Sequence, residues 1–65
     1  MTENNVMRTE YRKLNETEVR QINEVKKLGT HFHAYLEGIG ASREISLAKT
    51  KIEEAVMWAV KHLSA

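Results

Sequence analysis

Sixty-five residues make one domain, too short for a single chain to bury a large core. With no cysteine to supply a disulfide or a Cys-based metal site, association with further copies is the favoured source of stability. Ten Lys plus Arg stand against nine Asp plus Glu, a formal net charge of +1, with six basic against five acidic residues up to Leu28 and four against four from Gly29 onward. Long DNA or RNA, which is gripped through clustered cations and counterion release, is therefore disfavoured as a partner, whereas a small phosphorylated ligand needs only a few placed charges.

The N-terminal residues Met1-Thr2-Glu3-Asn4-Asn5 have neither the basic start nor the apolar run of a secretory signal, and no later stretch approaches a membrane span. A cytoplasmic protein with no membrane partner is expected. Residues 1–14 form an arm in which Val6, Met7 and Leu14 can pack across the rest of the chain, with a short helix expected around residues 4–10.

At Asn15 the chain offers an N-cap with Glu18 three residues on, a capping-box pattern. The apolar series Val19, Ile22, Val25, Gly29, Phe32, Leu36, Ile39 follows at helical spacing, which predicts a helix over about 15–38. Gly38-Ile39-Gly40 should end it, with a glycine in the left-handed conformation. Ser42 then caps a second helix over about 42–64, whose apolar positions are Ile45, Ala48, Ile52, Ala55, Val56, Ala59 and Leu63. A break of about three residues makes the two helices antiparallel neighbours, so the fold class is an all-α antiparallel hairpin preceded by a short arm. A two-helix hairpin cannot cover its own apolar stripes, and the flank that includes Leu28, Met57 and Val60 should pack against other copies in a symmetric homo-oligomer.

Catalytic and metal chemistry find little support. His31 and His33 lie two residues apart on a helix and point about 160° away from each other, so they cannot chelate one ion together. Glu53 and Glu54 are adjacent and diverge, and no Ser or Thr sits in a nucleophile elbow. The expectation is a non-enzymatic protein without metal or cofactor. Trp58, Phe32 and Tyr35 read as packing residues of a core or interface.

Two small constellations stand out for ligand binding. Lys26 lies along the edge of the apolar stripe beside Gly29, a position with no side chain, where room and charge coincide. Tyr11, just ahead of the first long helix, can fold back or reach a neighbouring copy and offer its ring to a base. A snorkelling lysine and a tyrosine that staples the arm down explain the same spacing. Ser42 and Arg43 combine the free N–H groups and dipole of a helix start with a planar guanidinium suited to phosphate, although Ser-Arg-Glu is also an ordinary helix beginning.

At these residues the chain resembles the small phage anti-CBASS proteins of the second type, whose helical-hairpin domain is shared with a Thoeris-inhibiting family. The matching segments are Tyr11-Arg12-Lys13-Leu14-Asn15, Ile22-Asn23-Glu24-Val25-Lys26 with Gly29, and Ser42-Arg43-Glu44-Ile45-Ser46-Leu47-Ala48 through Ile52-Glu53-Glu54-Ala55-Val56-Met57-Trp58-Ala59. The resemblance implies a sponge that binds cyclic di- and trinucleotide second messengers uncleaved, in the cytoplasm of the infected bacterial host, and so keeps immune effectors unactivated. It further implies that Tyr11 stacks on the base and Lys26 pairs with the phosphate of a 3′,3′-cyclic dinucleotide, while Ser42 and Arg43 hold the phosphates of a cyclic trinucleotide. A hexamer is the implied assembly. Symmetry gives an independent reason for it, since two-fold and three-fold contacts between identical chains match the approximate symmetries of the two ligands. The rival expectation is an oligomerising helical-hairpin interaction module with no nucleotide ligand.

Overall fold

In the computed structural model, residues 13–65 are described, and they form two α-helices joined by a tight turn. The arm residues 1–12, and with them the expected short helix, lie outside the described residues. Helix α1 spans Glu16–Ile39 and α2 spans Arg43–Leu63; among the described residues there is no strand.

The start of α1 is fixed by a reciprocal cap. The Glu18 N–H donates to Asn15 Oδ1 at 2.8 Å, and the Asn15 N–H donates to Glu18 Oε1 at 3.0 Å, so two donors that the first turn would strand are satisfied. Glu16 and Glu18 place negative charge at the positive end of the helix dipole. The helix continues through Gly38 to Ile39 and stops at Gly40, whose N–H reaches the Leu36 carbonyl at 3.4 Å. Gly40 adopts φ 159° and ψ −171°, which corrects the expected left-handed stop: the chain leaves in an extended positive-φ conformation that is open essentially to glycine alone. Three residues later α2 begins, with the Ile45 N–H donating to Ser42 Oγ at 3.1 Å, and it ends with Lys61 and His62 near its negative pole.

The helices pack antiparallel. Contacts climb one helix as they descend the other: Gly29 meets Val56, His33 meets Glu53, and Glu37 meets Lys49. The tightest approach is at Gly29, where a Cβ would run into Val56 Cγ2. This corrects the sequence reading of Gly29 as vacant room, because the missing side chain lets α2 come close.

Among the described residues only Ile22 and Leu36 are buried, two turns on either side of that crossing. Val19, Phe32 and Ile39, expected in the same stripe, are instead 44, 55 and 60% exposed, so the seam is narrower than the apolar series that encodes it. Phe32, Tyr35 and Trp58 are therefore not core residues of the hairpin. With a radius of gyration of 15.3 Å against roughly 10–11 Å for a compact chain of this size, the fold is a thin plate one helix thick, with two broad faces.

Candidate functional site

The two faces of the plate differ because α1 carries two parallel stripes beside its seam, each at spacing i, i+4, i+7, i+11. One is Leu28, Phe32, Tyr35, Ile39 and the other is Lys26, Thr30, His33, Glu37. The first is apolar and open, between 55 and 71% exposed, and it borders a shallow groove of about 570 Å³ floored by the small side chains Ala48, Ala55 and Ala59 of α2. An exposed ridge beside a trough of alanines is a surface shaped for another helix. Of the flank expected to be open, Leu28 and Met57 are exposed and Val60 is half-buried.

The second stripe lines a groove of about 580 Å³ on the opposite face, within the size range of small-ligand sites. Its floor is Gly29, Ile52 and Val56, and its walls are Lys26, Thr30, His33 and Glu37 from α1 with Glu53 from α2. Both wall carboxylates have basic neighbours. His33 Nε2 lies 3.2 Å from Glu53 Oε2, Lys49 Nζ lies 3.5 Å from Glu37 Oε2, and His33 Nδ1 is 4.0 Å from the same Glu37 oxygen. Lys26 makes no ion pair among the described residues. The ammonium that sequence reasoning singled out is thus an uncommitted cation at one end of an apolar-floored groove, in position to take an anion.

Tyr11, expected to stack on the base of a ligand whose phosphate Lys26 holds, lies outside the described residues. Ser42 and Arg43 sit at the turn, roughly 20 Å along the helix axis from Lys26, so the two sets of site residues occupy separate places on the hairpin. The Ser42 hydroxyl accepts from Ile45 N–H as the N-cap and keeps its own O–H to donate. Arg43, the first residue of α2, is exposed and has no ion pair among the described residues.

Sequence reasoning missed the pairing of His33 with Glu53. The sequence offers His33 only as a metal-ligand candidate and Glu53 only as a candidate catalytic acid, whereas the structure brings them together across the helix seam. The polar stripe from Lys26 to Glu37 was a readable signal. Its partner on α2 depends on the register, which the turn geometry sets. His31 and His62 are both exposed, and among the described residues no group of three potential metal ligands comes together. Trp58, on the outer side of α2, is 55% exposed and held from two sides, its Nε1–H donating to Glu54 Oε2 at 3.4 Å and Lys61 Nζ lying 5.3 Å from its ring centroid.

No helix among the described residues is long and apolar enough to cross a membrane. No curated protein and no solved structure matches the chain. The family model described as Acb2/Tad1, hairpin domain, matches residues 3–64. That match takes in both helices, the turn between them, and the groove and turn residues just described, so the chain belongs to the Acb2/Tad1 hairpin-domain family.

Proposed function

We propose that this protein is a phage anti-CBASS sponge that binds and sequesters cyclic di- and trinucleotide second messengers without cleaving them. Membership of the Acb2/Tad1 hairpin family fits an anti-defence sponge role in general. The observation that carries the finer reading is Lys26, a cation with no ion pair among the described residues, set in an open groove whose carboxylates already have basic partners. A cyclic dinucleotide supplies a phosphate for Lys26 and an aromatic face for the apolar floor and for Tyr11. Ser42 and Arg43 offer hydroxyl, backbone N–H and guanidinium donors to the phosphates of a cyclic trinucleotide.

Sequestration needs affinity and copies, not turnover. The assembly is a symmetric homo-oligomer, a hexamer on the family resemblance, in the cytoplasm of the infected host, with the apolar stripe joining copies and the polar stripe left to the ligand. Isothermal titration of the wild type, Tyr11→Ala and Lys26→Ala with 3′,3′-cyclic dinucleotides tests the site. Either substitution should weaken binding roughly tenfold or more, in line with about 1–3 kcal/mol for a stacked base or a charge-assisted contact. Unchanged affinity in both variants removes the site, and a linearised ligand recovered after heating the complex would make the protein an enzyme. The exposed apolar stripe also favours a second reading, a hairpin that only oligomerises or binds a partner helix. Absence of binding heat with any cyclic nucleotide would select it.

A further inference from the structure

We infer that Glu53, steadied by His33, reads the base in the Lys26 groove and gives guanine-containing ligands the advantage; this rests on the function proposed above. Lys26 and His33 lie on the same edge of α1, seven residues and so about 10 Å apart along the axis. That is close to the reach from a phosphate to the far edge of its own purine. A ligand with its phosphate at Lys26 and a base laid over Gly29, Ile52 and Val56 therefore ends its Watson–Crick edge at the level of His33 and Glu53.

The group waiting there is an acceptor. An ionised carboxylate has no hydrogen to donate and about four lone-pair directions, of which His33 uses one on Oε2. Glu53 Oε1 has no partner among the described residues. Guanine alone among the common bases offers two parallel donors on that edge, N1–H and the 2-amino group, and these match the two oxygens as a guanidinium does. Adenine presents one donor beside an acceptor, and uracil one donor between two carbonyls that a carboxylate repels.

Two features keep this acceptor from working against the phosphate. Glu53 pairs with His33, which lies about 10 Å along the axis from Lys26, a little over one Debye length at physiological salt, so repulsion through solvent is reduced. The groove's other carboxylate, Glu37, is engaged by Lys49. His33 is the less exposed member of its pair, with 29% of its side chain accessible against 66% for Glu53, which suits a positioning residue beneath a contact residue.

The test compares cyclic di-GMP with cyclic di-IMP, which lacks only the 2-amino group, and with cyclic di-AMP, by calorimetry on the intact protein. Wild type should prefer cyclic di-GMP over cyclic di-IMP by roughly tenfold or more. Glu53→Gln, which keeps one acceptor for N1–H and sets an amide NH2 against the 2-amino group, should weaken cyclic di-GMP more than cyclic di-IMP and so bring that ratio close to one. His33→Ala should lower the ratio partway, and His33→Gln, which restores a donor to Glu53, should recover it. A ratio unmoved by Glu53→Gln, or equal weakening of all three ligands, overturns the assignment while leaving the sponge intact. Failure of the wild type to bind any of the three overturns the sponge and this inference together.

Discussion

Gly29 is the residue on which the hairpin turns. Val56 Cγ2 occupies the space a Cβ would need, and a valine in a helix has essentially one rotamer, so it cannot swing aside. Gly29→Ala should therefore push the helices apart at their closest approach. Overpacking of this kind costs about 1–3 kcal/mol, against which the better helix propensity of alanine returns about 1 kcal/mol. The net expectation is a lower Tm, with Gly29→Ala combined with Val56→Ala recovering stability relative to the single change. A single variant as stable as the wild type would mean that α2 shifts freely along α1. The same change moves Lys26 and Glu53 relative to one another, since they stand on different helices either side of this contact.

The helices themselves were legible because their ends are local chemistry. Asn15 and Glu18 satisfy each other within one turn, Ser42 serves the Ile45 N–H, and Gly40 is needed at a positive φ, so each boundary is decided by residues three or four apart. Which side of each helix is covered was much less legible. Phe32 and Ile39 share the periodicity of Leu36 and yet are open, because one facing helix covers only a narrow strip and periodicity cannot say how many neighbours an element has. The His33–Glu53 pair was hidden for a related reason, since a contact across twenty residues depends on register. The cap of α2 also separates structure from binding at the turn. Ser42→Asp keeps a strong N-cap and favours the helix dipole, so Tm should hold or rise. The added charge would repel phosphate, so cyclic trinucleotide affinity should fall at least tenfold while cyclic dinucleotide affinity is unchanged. Undiminished trinucleotide binding in a stable Ser42→Asp variant would take the phosphates away from this turn.

At the scale of the whole molecule, the described hairpin buries two side chains and leaves much of its apolar surface open. The line Leu28, Phe32, Tyr35, Ile39 lies open beside the alanine trough of α2, so two copies related by a two-fold axis can each seat a ridge in the other's trough, an isologous contact that makes the patch its own complement. If folding and assembly are coupled in this way, stability is a property of concentration, and Tm must rise as the protein is concentrated. Phe32→Glu places a charge in the middle of the ridge, on the face away from Lys26. Native mass measurement should then find an oligomer for the wild type and mostly protomer for the variant, with Tm lowered and its dependence on concentration lost. A cyclic dinucleotide held by residues of two chains should oppose this, since a ligand present at a hundred times its Kd contributes about 2.7 kcal/mol to the state that binds it and would draw part of the variant back into the assembly. A wild-type protein that stays monomeric with a concentration-independent Tm would instead mean that one hairpin suffices, and the open ridge would then have to be explained by a different partner.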